Sequence, residues 1–153
     1  MDDSLNHLAL NLFLASIMVA ITTLIHFFGL LLLTRLMSHA HGRLRTHEAA
    51  WRQASMILIV VIGVFALHTV QVWAYAIVYD RLNEFGSFEE ALYFSTVCFS
   101  TLGFGDFTLS EKWRVFSAIE AINGLVLIAW STAFLASVTG RLRLLEHAWL
   151  ERE

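Results

Sequence analysis

The sequence predicts an all-α integral membrane protein: three spanning helices, plus a short re-entrant helix and a loop that turn back inside the membrane. Three observations carry this prediction. Hydrophobic residues make up 58% of the 153 residues and charged residues 15%, where soluble domains run near ~25% charged. The charges lie between long gaps. The shortest gap leads into Thr101-Leu102-Gly103-Phe104-Gly105-Asp106, two glycines alternating with larger residues.

Each element follows from a gap. Residues 4–34 hold no Asp, Glu, Lys or Arg, and a span needs ~20 apolar residues, so a first helix is expected over 5–36. A loop over 37–52 follows. Residues 53–79 are the second gap, giving a helix over 53–80. Residues 91–105 are only 15 long. As a helix they reach ~22 Å, short of the ~30 Å hydrocarbon core. Ser87 followed by Glu90 reads as a capping box, so a short helix is expected over 87–99, then the loop 101–106. Residues 115–140 carry one charge, Glu120, and give the last span, 111–140. The tail 141–153 continues it as an amphipathic helix with Leu142, Leu145 and Trp149 on one stripe, suited to a membrane surface or to bundling with its copies.

Lys/Arg bias orients the chain. Residues 35–52 hold Arg35, Arg43, Arg45 and Arg52 against Glu48, whereas residues 80–90 hold Arg81 against four acids. The 37–52 loop and the tail are therefore expected in the cytoplasm and the N-terminus outside, in the cell (plasma or inner) membrane. Asp2 and Asp3 stand where a cleavable leader would be positive, so none is expected. No calcium- or nucleotide-binding domain is expected behind Glu153. A net charge of −3 argues against a nucleic-acid partner. One cysteine, Cys98, excludes an internal disulfide, and proline is absent. No nucleophile–base pair or metal-ligand cluster stands out, so no enzyme chemistry is expected.

The loop carries the chemistry. Glycine adopts positive φ without a Cβ clash, so an alternating backbone can turn successive carbonyls to one side. Several chains around an axis would then stack rings of carbonyl oxygens that replace a cation's hydration shell. The Thr101 hydroxyl adds a ring, and the C-terminal end of the short helix favours a cation nearby. These residues resemble the filter of pore-loop potassium channels, Thr-Val/Ile-Gly-Tyr/Phe-Gly-Asp, with Phe104 as in the two-pore-domain branch. Ala91-Leu92-Tyr93-Phe94-Ser95 is similar to the family's pore helix, and Trp113-Arg114 and Gly124 extend the likeness over about 54–140. The first helix has no counterpart in the minimal channels of that family.

The resemblance implies a pore domain over 53–140 and a homotetrameric pore, each chain giving a quarter of the filter. It implies passive K+ conduction, with K+ bound at Thr101, Leu102, Gly103 and Phe104. Gly105 and Asp106 would shape the outer mouth. The implied partners are further copies of the chain and membrane lipids, with K+ as the only bound species and no organic cofactor. Phe104 lacks a hydroxyl and Phe94 an N–H, so the family's Tyr–Trp brace cannot form. A weakly selective monovalent cation channel on the same scaffold is the alternative, and a non-conducting membrane protein a more distant one.

Glu120 is expected behind the filter, as a strut or proton-sensitive brace, or as a carboxyl satisfied by Ser95 or Thr96. Gly124 is read either as a hinge or as a close-packing point. If it faces the pore, Leu125, Ile128, Thr132 and Leu135 line the cavity and constriction. His26 and His68 suggest a haem-binding alternative. Counted from Arg35 and Arg52 they differ in depth by roughly 10 Å, which speaks against one haem taking both. Contacts of His68, Thr69 and Gln71 with Asn11, Thr22 and Thr23 are expected instead. His39, His41 and His47 read as part of a solvated loop, with pH sensing or metal binding as the alternative. No helix carries arginine at every third position, so no voltage sensor is expected.

Overall fold

In a computed structural model, the structure describes residues 2–41 and 49–150, with side chains over 5–38, at 51 and over 54–140. Four helices follow in order: α1 (Asp2–His41), α2 (Ala49–Arg81), α3 (Phe88–Phe99) and α4 (Arg114–Leu150). Three are long and apolar enough to cross a membrane, over Leu5–Ser38, Ala54–Arg81 and Arg114–Gly140. The 12 residues of α3 reach ~18 Å and cannot cross.

Helix replaces much of the expected 37–52 loop. Residues 37–41 and 49–52 contain no proline or glycine, so nothing stops α1 before His41 or delays α2 after Ala49. Arg43, Arg45 and His47 lie outside the described residues. The last helix starts at Arg114, not at 111: Trp113 N–H bonds the Ser110 carbonyl at 3.0 Å in a turn. It then runs on through 141–150 without interruption. The side chains of Leu142, Leu145 and Trp149 lie outside those described.

Two apolar cores sandwich a polar layer. Tyr75, Tyr79, Phe99, Trp113, Phe116 and Leu127 fill the core beside α3. Leu30, Leu33, Val60 and Val64 fill the other. There α1 and α2 interlock: a Cβ on Gly29 would strike the Leu67 side chain, and one on Gly63 the Leu33 side chain. Small residues of this kind let membrane helices approach closely. The polar layer holds Thr22 and His26 of α1, Gln71 of α2, and Asn123 and Ser131 of α4, all buried. The outer faces are apolar, with Phe28, Phe65 and Ile122 each at least 60% exposed.

Candidate functional site

Ser87 caps α3 as expected, whereas Glu90 reaches back one residue further than a capping box requires, to Gly86. The Ser87 side chain accepts the Glu90 N–H at 3.2 Å, and Glu90 Oε2 accepts from Gly86 N at 2.9 Å. Its far end passes directly into the loop. Thr101 N–H bonds the Cys98 carbonyl at 2.9 Å, and Leu102 N–H bonds the Val97 carbonyl at 3.0 Å. With Ser100 as C-cap, this is a Schellman ending, and Thr101 occupies the left-handed position that usually takes glycine. Its φ is 60°, which costs a β-branched residue roughly 1–2 kcal/mol.

From there the backbone alternates. Gly103 has φ 58° and Gly105 φ 77°, while Leu102 and Phe104 are not positive. The glycines predict two of its three positive-φ positions. The third, Thr101, lies two residues before the first glycine and is supplied by the helix cap. Apart from each glycine's own chain neighbours, no atom of the described residues lies within 4 Å of a Cβ built at Gly103 or Gly105. Leu102 is 60% and Phe104 65% exposed. One side of the loop is thus left open by its own chain.

The loop is held from behind at two points. At its end, the Tyr93 hydroxyl donates to Asp106 Oδ2 at 2.7 Å, and Asp106 Oδ1 accepts the Phe107 N–H at 3.1 Å. Tyr93 was not singled out as a support. Its position thirteen residues before Asp106, across a three-turn helix and a returning loop, was the available signal. The hydrogen bond to Asp106 holds the Tyr93 phenol above its ordinary value. Behind α3, Glu120 is fully buried. Ser95 Oγ lies 2.6 Å from its Oε1, and Tyr79 donates to its Oε2. Ser95 also reaches the Val72 carbonyl at 3.0 Å, so one carboxyl gathers α2, α3 and α4.

Thr96 does not join this group. One position along α3 from Ser95, it turns ~100° away, is exposed, and bonds the Leu92 carbonyl at 2.7 Å. Cys98 packs toward α4, its Sγ 3.0 Å from the Ser117 carbonyl, and burial pushes its thiol well up. Beyond the loop, Glu84 takes both the Ser110 N–H and hydroxyl at 2.9 Å, fastening the 107–113 segment to the end of α2.

The phase of α4 differs from the expected lining. Gly124 is buried, and a Cβ there would run into the Phe99 carbonyl oxygen. It is the point where α4 meets the end of α3, so the close-packing reading holds and the pore-facing one does not. Ile128 packs on the core beside α3 and Leu135 on the other core. Leu125 and Thr132 stay on the exposed face, together with Ile122, Ala129 and Ala133.

The two membrane histidines are at one level. Their ring centroids are 5.4 Å apart, because α1 and α2 continue past Arg35 and Arg52 and those arginines do not mark a common depth. Both nitrogens of each ring face side-chain partners, which leaves neither ring free to ligate a haem. Of the expected contacts, Gln71 reaches Thr22, whereas Thr69 bonds the Phe65 carbonyl and Asn11 the Lys112 carbonyl. Among the described residues no group of three or more His, Cys, Asp or Glu is placed to hold a metal. The side chains of His39 and His41 lie outside those described.

A bundle of membrane-length helices that holds an alternating backbone loop at the end of a short, non-spanning helix is suited to passing ions. A family model described as ion channel matches residues 56–141, more than half of the chain, and the chain belongs to that ion channel family. The match covers most of α2, all of α3 and the loop, and most of α4, and leaves α1 outside. No curated protein and no solved structure matches the chain.

Proposed function

We propose that the protein is a potassium-selective channel in which four copies surround one ion path. The observation that carries this reading is the φ alternation at Thr101, Gly103 and Gly105 on a face its own chain leaves open. Alternate peptide planes can then direct the carbonyls of Thr101, Leu102, Gly103 and Phe104 toward an axis outside the chain. Rings of such oxygens replace the water of a dehydrated cation. One chain offers one side of each ring, so the site is incomplete without its copies. The C-terminal end of α3 stops at Phe99, two residues before Thr101, and adds partial negative charge there.

Selectivity rests on holding the ring in place. Tyr93–Asp106 and the Glu120 group with Ser95 and Tyr79 supply the ties that Phe104 and Phe94 cannot. On the opposite face of α4, Ile122, Leu125, Ala129, Thr132 and Ala133 would line the path beyond the filter. The arginine bias of residues 35–52 puts the α1–α2 loop and the C-terminal tail in the cytoplasm and the N-terminus outside. The missing hydroxyl of Phe104 favours a second reading, a weakly selective cation channel. Reversal potentials of the reconstituted protein separate the two. A shift that follows the K+ gradient supports the first, and a reversal near zero under opposed K+ and Na+ supports the second.

A further inference from the structure

The polar layer between the two cores plays no part in the filter. Gln71 Nε2 lies 3.2 Å from the Thr22 carbonyl and 3.1 Å from His26 Nδ1. Gln71 Oε1 lies 3.0 Å from His68 Nδ1. Ser131 Oγ lies 2.9 Å from His68 Nε2 and 3.4 Å from His26 Nε2. These four side chains close a ring that joins α1, α2 and α4.

The ring admits one arrangement of protons. A backbone carbonyl only accepts, so the Gln71 atom facing Thr22 is the nitrogen. That nitrogen donates to His26 Nδ1, and the Gln71 oxygen accepts from His68 Nδ1–H. His26 then carries its proton on Nε2 and donates to Ser131. Ser131 donates in turn to His68 Nε2. Each member gives one hydrogen bond and takes one, and both imidazoles are neutral, in opposite tautomers.

A further proton has no place in this ring. On His26 Nδ1 it meets the Gln71 N–H, donor against donor. On His68 Nε2 it displaces the Ser131 hydroxyl proton from its acceptor. A charged ring at membrane depth is costly without a partner. The titratable groups of the packed elements are committed elsewhere: Tyr75 to Asn123, Tyr79 to Glu120, Cys98 to the Ser117 carbonyl, and Glu120 to Ser95 and Tyr79. Arg35 lies nine residues along α1 from His26, about 13 Å of helix, and His7 of α1, Asp80 and Arg81 of α2 and Arg114 of α4 stand near the helix ends. Trp130 and Phe99 close the sides, 5.3 Å from His26 and 5.8 Å from His68. His68 is half-buried, whereas His26, Gln71 and Ser131 are buried, so His68 is where a proton enters.

We infer that this ring is an acid-released latch, which fastens the middle of α4 to α1 and α2 only while both histidines are neutral. Release frees α4 on the side of Ser131. The opposite, apolar face of α4, with Ile122, Leu125 and Ala129, can then close on its copies, so acid reduces conduction. The closing step rests on the proposed channel function, and the latch itself does not.

The test uses the full chain in lipid. Nitrogen-15 NMR at pH 8, with His26 and His68 assigned by single His→Gln variants, should show His26 as the Nε2–H and His68 as the Nδ1–H tautomer. Spin labels at Leu24 of α1 and Val126 of α4, diluted with unlabelled chain, should move apart between pH 8 and about 5. K+ flux should fall over the same interval by about tenfold, within the usual range of coupling between sites. The double variant His26→Gln/His68→Gln should lose the acid-dependent movement. Like tautomers at pH 8, an unchanged label distance in acid, or a movement that persists in the double variant would overturn the latch. The wild-type measurements decide even where the variant fails to fold. A label movement in a protein that passes no K+ at any pH supports the latch and refutes the channel reading.

Discussion

Thr101 sits where a helix ending asks for glycine, and there the proposed filter departs from ordinary propensity. Its positive φ is retained because the Val97 and Cys98 carbonyls fix the two peptides around it. Gly103 and Gly105 need glycine for conformation alone, since a Cβ would meet nothing of its own chain. Gly103→Ala is expected to cost about 1–2 kcal/mol and to abolish K+ flux; a variant that conducts normally would contradict the alternation. Tyr93 offers a pH test. Its phenol is a donor, so the tie to Asp106 is fully present below the ordinary tyrosine value. It is lost as pH rises through the higher value that Asp106 imposes. Selectivity should therefore persist to alkaline pH and then fall in the wild type. Tyr93→Phe should show reduced selectivity already at neutral pH, with no further alkaline step.

Behind the 101–106 loop, α3 is positioned by what it touches on α2 and α4. Glu120 gathers hydroxyls from both Tyr79 and Ser95. Glu120→Leu leaves the buried Tyr79 hydroxyl without that partner, at about 1–3 kcal/mol, while Ser95 keeps the Val72 carbonyl; thermal unfolding in detergent checks the loss, and K+/Na+ permeability should drop with it. Gly124 separates packing from hinging. Gly124→Ala must push the Phe99 carbonyl aside, at a typical overpacking cost of about 1–3 kcal/mol. Gly140→Ala meets open space and should be neutral or stabilising by up to about 1 kcal/mol. Equal effects at the two sites would return Gly124 to the hinge reading.

Across the molecule, charge gaps located the three long helices and the short one, because lipid excludes charge whatever the local packing. Element ends were less legible: nothing in residues 37–41 or 49–52 marks where lipid stops, so helix runs on. The Ser95–Glu120 contact was readable, since a lone intramembrane carboxyl must find donors nearby. Helix rotation was not. Gly124 looks alike as a hinge and as a notch for a neighbouring carbonyl, and choosing wrongly moves Ile128 and Leu135 from core to cavity. The level of His26 and His68 was misread for a related reason, as depth was counted from arginines that do not end their helices. The glycine part of the backbone alternation over 101–106 was legible, while the contribution of Thr101 depends on how α3 ends.

Potassium conduction through rings of carbonyls from four chains is tested most directly by the reversal potential of the reconstituted protein under opposed K+ and Na+ gradients. A reversal close to the K+ equilibrium potential, lost in Gly103→Ala, is the expected result. A reversal near zero, or a current that survives Gly103→Ala unchanged, would contradict a potassium-selective filter at residues 101–106.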